Sequence, residues 1–207
     1  DPLQARNPAF ELSYWRYGLR IAAQWRERQG RAPEPAWQEV RAGLAPLPTD
    51  DGVYLLQEGM SDTFTRWNWE HPSLIGMLGL LPGDGVEPAV MRATVKKVWQ
   101  TWQWNRKTWG WDFPLLAMAA ARNGEPQLAV DALLHPAARN RFKAVGLSEG
   151  GPFPYFPSNG GLLYAVALMA AGWSQDTSVP AGSARPVPGF PADGSWIVRW
   201  ENLRPAP

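Results

Sequence analysis

The sequence contains no cysteine, which excludes disulfide bonds, thiolate zinc sites and cysteine nucleophiles. Only 2 histidines occur, His71 and His135, and they are too far apart in the chain to form a local zinc motif. An excess of one charge is lacking as well, because 20 Lys and Arg are balanced by 19 Asp and Glu. A net charge of +1 argues against a nucleic-acid groove, which needs an excess of basic residues.

Long apolar runs and nucleotide motifs are also lacking. No run approaches the roughly 18 apolar residues that a membrane-spanning helix needs. The sequence has no glycine-rich dinucleotide motif after a strand, no phosphate-binding loop and no Gly-x-Ser-x-Gly nucleophile. We therefore expect no nucleic-acid partner, no membrane span, no bound metal and no cofactor.

Tryptophan, by contrast, is abundant, with 13 residues in a chain of 207. Four of them fall in polar loops rather than on helical stripes, namely Trp67, Trp69, Trp109 and Trp111. A spacing of two places both rings of a pair on one side of an extended segment. An indole face packs against the apolar side of a sugar ring while its N–H binds a hydroxyl, so we expect two of the four rings to touch a ligand.

Apolar periodicity predicts a mainly α fold. The first helix carries a stripe at steps of three and four, made of Phe10, Tyr14, Tyr17, Ile21 and Trp25. Segments 113–122 and 126–134, separated by Asn123-Gly124, predict an αα-hairpin. Such helices are joined by short turns on one side and by long aromatic loops on the other.

The remaining elements are short. Asp51-Gly52 is a turn signal, and residues 53–56 predict a short strand after it. Residues 174–189 have a linker-like composition, and residues 196–200 are the best strand candidate of the chain. We therefore divide the chain into a helical portion at 1–173, a linker at 174–189 and a C-terminal strand segment at 190–207.

Loop carboxylates with aromatic neighbours are the candidate catalytic groups. Hydrolysis of a glycosidic bond needs two carboxyl groups on opposite sides of the bond, and an apolar setting raises the pKa of the one that acts as acid. The loop carboxylates are Glu58, Asp62, Glu70, Asp112 and Glu149. Asp112, at a helix start, suits a general base, and plain helix capping is the alternative. Glu58 is either catalytic or structural, and Glu149 is either a sugar-hydroxyl acceptor or a solvated loop charge.

The two histidines have different settings. His71 precedes Pro72 at a helix entry, where it either binds a sugar hydroxyl or satisfies a backbone carbonyl. His135 precedes Pro136, and we expect it at the surface.

A series of weak motifs, in a fixed order, resembles the C-terminal half of glycoside hydrolase family 95, the α-L-fucosidase and α-galactosidase type. The family has Leu-Pro-Pro, Asp-Gly and Gln-Glu-Trp before a His-x-Ser-His-Leu segment, and residues 47–59 and 71–74 look like that succession. A Thr-Gly-Trp-Ser helix opening is similar to residues 108–112, with a Gly-Glu step at 124–125. The family's Pro-Phe-Gln-Ile-Asp-Gly-Asn-Phe-Gly-Gly is similar to residues 154–161.

The resemblance implies part of an (α/α)6 toroid with a periplasmic or secreted location. A full toroid of this type has twelve helices and this sequence shows about half of them, so the N-terminal half of the same barrel is an expected partner. The resemblance also implies inverting hydrolysis of an oligosaccharide or other glycoside in an aromatic-lined pocket. The family's general base, however, matches Ser158, which cannot act as a carboxylate base, and its general acid lies upstream of this chain.

The predicted site combines the residue pattern with the resemblance. The catalytic candidates are Glu58 and Asp112. The substrate-binding candidates are Trp67, Trp69, His71, Trp109, Trp111, Glu149, Ser158 and Asn159. Two alternatives stay open. One is a non-catalytic carbohydrate-binding protein, which the serine at 158 favours. The other is a glycoside phosphorylase, with a phosphate site at Thr63, Thr65 and Arg66 or at 106–108.

Overall fold

The structure is a computed structural model, and it describes residues 4–174 and 188–206. The described part is mainly helical, with six α-helices, two short 3₁₀ helices and one two-stranded hairpin. The α-helices are α1 Ala9–Arg28, α2 Pro35–Gly43, α3 Pro88–Thr101, α4 Asp112–Arg122, α5 Pro126–Leu133 and α6 Phe156–Ala171. The 3₁₀ helices are Ser73–Met77 and Ala138–Asn140, and the strands are β1 Thr49–Asp50 and β2 Val53–Tyr54.

Helix α4 is the centre of the core. It is rich in alanine, and α3, α5, α6 and the Ser73–Met77 helix all pack against it. Small side chains let these elements approach closely. At Gly79 a Cβ atom would lie 2.7 Å from the Cα of Ala119, so the chain leaving the 3₁₀ helix runs directly over the α4 backbone. The predicted αα-hairpin is confirmed, since α4 and α5 are joined by residues 123–125.

The predicted turn at Asp51-Gly52 is confirmed. Asp51 and Gly52 have φ of 46° and 73°, and they connect β1 to β2 in antiparallel register. Positive φ at both central residues is typical of the two-residue turns that match strand twist. The strand itself is shorter than predicted, because it ends at Tyr54 rather than at residue 56.

Helix α1 carries the apolar stripe that the sequence predicts, but part of this stripe is exposed to solvent. Tyr14 and Trp25, both on the predicted stripe, are each 56% exposed. The buried residues of α1 are Ala9, Leu12 and Ser13, in its first turns, where the helix packs on the Ser73–Met77 helix. Beyond these turns α1 packs on α2, which has no buried residue of its own.

The prediction of a strand at residues 196–200 is wrong. Residues 196–200 form no strand, and Ile197 is 84% exposed. No neighbouring strand is available to pair with them among the described residues, so the β-branched sequence stays irregular. The chain instead returns to the end of α6, where Ala206 and Trp173 form an isolated parallel bridge. Of the predicted linker, residues 175–187 lie outside the described part.

No helix in the described ranges is both long and apolar enough to cross a bilayer.

The loops that form the site precede the Ser73–Met77 helix, α4 and α6. Residues 58–72, 102–111 and 141–155 approach one another around the start of α4, held by backbone bonds such as Gln103 N–H to Asn68 O at 2.8 Å and Gly110 N–H to Gly150 O at 2.9 Å.

Candidate functional site

A histidine–aspartate pair lies at the start of α4. His71 Nδ1 is 2.9 Å from Asp112 Oδ1, although the two residues are 41 positions apart in the sequence. The Asp112 side chain is fully buried, whereas the His71 side chain is 40% exposed. The buried carboxylate therefore fixes the orientation of an imidazole whose other edge remains open. Among the described residues, His71 Nε2 has no hydrogen-bond partner.

The local turn before α4 explains how Asp112 is presented. Asp112 is the first residue of α4, yet it caps no N–H of its own helix. Its Oδ2 accepts a hydrogen bond from the backbone N–H of Trp109 at 2.7 Å, and its Oδ1 faces His71. The plain-capping alternative is therefore wrong. A direct role as general base is also not open to Asp112 in this structure, because no atom of the side chain reaches solvent.

Two indole rings lie beside His71, and a tyrosine ring extends the surface that they form; we call Trp109, Trp111 and Tyr155 the aromatic wall. The His71 ring lies 5.0 Å from the Trp111 ring and 6.1 Å from the Trp109 ring, measured between centroids. The Tyr155 ring, from the loop before α6, lies 5.5 Å from the Trp109 ring. Trp109 is 37% exposed, and Trp111 and Tyr155 are half-buried. The result is an open imidazole edge flanked by flat apolar surfaces.

A close crossing of two chain segments supports this wall. A Cβ at Gly110 would lie 2.7 Å from the Arg139 carbonyl oxygen and from the Gly150 Cα, and 2.8 Å from Ser158 Oγ. A Cβ at Gly151 would in turn lie 2.9 Å from the Trp109 ring and 2.5 Å from the Tyr155 ring. Glycines at this crossing let the two loops meet, so that Tyr155 and Trp109 come into contact.

The environment shifts the protonation of the pair. The hydrogen bond to Asp112 raises the pKa of His71 above its ordinary value, against the opposing effect of burial, and the charges of Asp112 and Glu70 add to the increase. Burial raises the pKa of Asp112, and the bonds from His71 and from the Trp109 N–H oppose this. The hydrogen bond between His71 Nδ1 and Asp112 therefore leaves Nε2 as the ring nitrogen that can bind a ligand.

We expect the stability conferred by the pair to fall as pH rises. A histidine whose pKa is higher in the folded than in the unfolded chain stabilises fully below the unfolded value, about 6.5, and loses this contribution as pH rises through the folded value. The raised pKa of Asp112 acts in the same direction. Urea unfolding of wild type and His71→Gln between about pH 6 and 8 measures it, and the difference in unfolding free energy should shrink with pH.

His135 supplies the control for that experiment. Burial lowers the pKa of His135, so its contribution has the opposite sign, and stability due to it is lost as pH falls. A His135→Gln variant should therefore keep the decline that His71→Gln removes. A wild-type minus His71→Gln difference that is constant across the range would contradict the shift assigned to His71.

The second tryptophan pair lies on the loop that leads to His71. The Trp67 and Trp69 rings are 6.2 Å apart, with Arg66 over Trp67 at 5.3 Å and the Lys107 ammonium over Trp69 at 4.3 Å. The segment is a series of turns rather than extended, although the two rings still meet. A backbone anchor follows, since Trp102 Nε1–H donates to the Glu70 carbonyl at 2.6 Å.

Several predicted site residues lie in other contacts. Glu58 binds the N-terminal segment: its carboxylate accepts from Asn7 Nδ2 and pairs with Arg6 Nε at 3.2 Å. Glu149 is exposed and lies 3.8 Å from Lys143 Nζ. Both assignments correspond to the structural alternatives stated for these residues above.

Ser158 and Asn159 hold the loop before α6. Asn159 Oδ1 accepts from the Ser148 N–H at 3.0 Å, and Asn159 Nδ2 donates to the Gly146 carbonyl at 2.7 Å. Ser158 is 1% exposed, and its hydroxyl, against Gly110, has no hydrogen-bond partner. Asn159 therefore shapes the loop behind the wall, and Ser158 has no surface to offer a ligand in this structure.

The hydroxyls of the proposed phosphate sites are likewise engaged. Thr63 and Thr108 are buried, and their hydroxyls donate to the backbone carbonyls of Met60 at 2.7 Å and Trp104 at 2.8 Å. The Thr65 hydroxyl lies 3.3 Å from the Asp62 carbonyl. The structure therefore gives the phosphorylase alternative no preformed hydroxyl donors at these positions.

Two residues near the site, Tyr155 and Arg139, were not predicted from the sequence. The surface position expected for His135, which lies away from the site, also differs from the structure. Tyr155 was visible in an aromatic loop, but nothing local marked it as a partner of Trp109. Arg139 lies with its guanidinium 5.6 Å from the Trp109 ring centre, and no sequence pattern signalled it. His135, expected at the surface, packs edge-on to Trp99 at 5.6 Å and against Phe113 at 5.4 Å.

Within the described ranges, no group of three His, Asp or Glu side chains is placed to hold a metal ion. Comparison of the chain with protein-family models, with curated proteins and with solved structures found no significant match.

Proposed function

We propose that this chain binds and hydrolyses glycosides as part of an (α/α)6 toroid, with His71 at the centre of the sugar site. The observation that carries the proposal is the His71–Asp112 pair, with a buried carboxylate and a partly exposed imidazole beside Trp109 and Trp111. The ordered motif series that resembles family 95 supports the same assignment, since three of its segments contribute residues to this site.

The geometry suits a saccharide because it combines flat apolar faces with a fixed polar group. A sugar ring presents C–H groups on its faces and hydroxyls at its edge, so it can stack on an indole while an equatorial hydroxyl reaches His71 Nε2. Asp112 orients the ring of His71 in the way that a buried carboxylate orients the histidine of a catalytic dyad. Asp112 is therefore a positioning residue in this proposal rather than the general base.

Hydrolysis requires two carboxyl groups that reach the glycosidic bond. Glu70 is the described carboxylate that best fits one of these two roles. It is half-buried, its charge acts on His71, and Trp102 binds its backbone carbonyl. We assign it as one carboxylate of the reaction. In the resemblance the general acid belongs to the other half of the barrel, and we assign the second carboxylate there.

The test is saccharide binding by matched tryptophan variants. We expect Trp111→Ala and His71→Ala to weaken oligosaccharide binding about tenfold or more, because each removes an apolar surface or a hydrogen-bonding group that meets the sugar. Trp15→Ala is the matched control, since Trp15 is a 59% exposed indole on α1 and we expect no change. Isothermal titration calorimetry with a panel of neutral and acidic oligosaccharides measures affinity, and release of sugar from aryl-glycosides measures turnover.

The proposal fails if the wild-type protein binds no member of the panel, or if Trp111→Ala and Trp15→Ala bind equally well. A Glu70→Gln variant that keeps both binding and full turnover would remove Glu70 from the reaction while leaving the sugar site in place.

One observation favours the non-catalytic alternative. Asp112 and Ser158, at the positions where a base would stand, are 0% and 1% exposed and cannot hold a reacting water. Binding of an oligosaccharide without any product after long incubation would identify the chain as a carbohydrate-binding protein on this scaffold.

A further inference from the structure

We propose that the saccharide bound at this site is anionic, and that Arg139 binds its carboxylate or sulfate group. The inference rests on the proposed function, because it names the class of sugar that the same site takes.

Arg139 stands at the outer edge of the aromatic wall. Its guanidinium lies over the Trp109 ring at 5.6 Å, and Trp109 contacts both His71 and Tyr155. Its backbone is fixed, because the Arg139 carbonyl forms part of the close crossing with Gly110 and Gly150. The side chain itself is exposed. The structure therefore presents a stacked cation beside the surface on which we place the sugar.

The charge of Arg139 also reaches the phenol of Tyr155. Burial and the charge of Asp112 raise the pKa of Tyr155, whereas the charge of Arg139 opposes that increase. The Arg139 guanidinium and the Tyr155 ring both contact the Trp109 ring, so each is a candidate donor to an acidic group of a ligand bound against that ring.

No described carboxylate neutralises this cation. Arg139 makes no ion pair within the described ranges, and neither do Arg141 and Lys107. Lys143, two residues further along, is paired with Glu149 at 3.8 Å. The Arg139 guanidinium is therefore exposed, stacked on Trp109 and not paired with a described carboxylate.

A neutral sugar offers the Arg139 guanidinium no charged partner, whereas an acidic sugar does. A guanidinium presents a planar fork that binds a carboxylate or sulfate through two parallel hydrogen bonds. Stacking on Trp109 holds the fork in place before the ligand arrives, which reduces the entropy lost on binding. The same contact would leave the sugar ring free to lie on the exposed part of the indole wall.

Calorimetry with matched saccharides tests the inference. The probes are a neutral oligosaccharide, its uronic-acid counterpart and its sulfated counterpart, each titrated into wild type, Arg139→Gln and Arg139→Lys at low and high salt. Arg41→Gln is the control, because Arg41 is exposed on α2 and makes no ion pair within the described ranges. Thermal unfolding of each variant verifies that the fold is intact.

We expect wild type to bind one acidic probe at least about tenfold more tightly than the neutral probe at low salt, with a smaller preference at high salt. Arg139→Gln should abolish that preference, Arg139→Lys should keep part of it, and Arg41→Gln should keep all of it. Comparing the uronic-acid and sulfated probes identifies which acidic group is bound.

Equal affinity for neutral and acidic probes in wild type would overturn the inference and leave the sugar site standing. An acidic preference that persists in Arg139→Gln would overturn the assignment to Arg139. If no probe binds at all, the proposed function fails and this inference fails with it.

Discussion

Gly110→Ala should destabilise the protein by about 3 kcal/mol, the upper part of the range for overpacking against atoms that cannot move aside. The new Cβ would lie 2.7 Å from the Arg139 carbonyl oxygen and from the Gly150 Cα. Both are backbone atoms, so relief requires the two loops to separate rather than a side chain to rotate. Urea unfolding measures the loss. If the proposed function is correct, calorimetry should also show weaker saccharide binding, because the Trp109–Tyr155 contact opens.

Gly160→Ala is the matched control for this change. Gly160 lies within α6, and a Cβ there meets no atom within 4 Å. Because alanine favours a helix over glycine, we expect a gain of about 0.5–1 kcal/mol. A Gly110→Ala protein that unfolds at the wild-type urea concentration would show that the crossing is looser than the structure has it.

Asp112→Ala should weaken the proposed saccharide binding about tenfold or more and lower the free energy of unfolding by about 1–3 kcal/mol, the cost of leaving buried donors without acceptors. The Trp109 N–H loses its acceptor, and His71 loses the group that orients it. Binding measured by calorimetry should fall as far as in His71→Ala, because both variants remove the oriented imidazole.

Asp112→Asn separates orientation from shape. Its amide oxygen can still accept from the Trp109 N–H, but its NH₂ group must donate to His71 Nδ1, which moves the imidazole proton to Nε2. We expect near-normal stability with altered affinity, and the nitrogen chemical shifts of His71 report the change of tautomer. Wild-type binding by Asp112→Ala would show that Asp112 does not position His71.

Local features of the fold could be predicted because they are short-range. The α4–α5 hairpin follows from apolar stretches interrupted by Asn123-Gly124, and the β1–β2 turn follows from Asp51-Gly52. The failures are also physical. A strand at 196–200 needs a partner strand, and burial of the stripe on α1 needs a covering surface. The local sequence of a segment does not determine whether either is present.

Several residues of the candidate site were predicted from the sequence, but the contacts between them were not. Trp109, Trp111 and His71 were identified from their polar loops, and the structure brings their rings together. Glu58 was selected by the same reasoning but binds Arg6 and Asn7, since a loop carboxylate with aromatic neighbours looks the same whether it faces a ligand or a surface cation.

The sequence by itself determined the mainly helical character, the positions of the turns and the stock of indole, imidazole and carboxylate groups. Only the tertiary structure decided that His71 meets a fully buried Asp112, that Tyr155 and Arg139 join Trp109, and that Ser158 lies behind Gly110. The reason is the sequence separation between the residues that interact. Helix periods and turn residues act over a few positions, whereas these contacts depend on how loops far apart in the chain cross at glycines and pack against the start of α4.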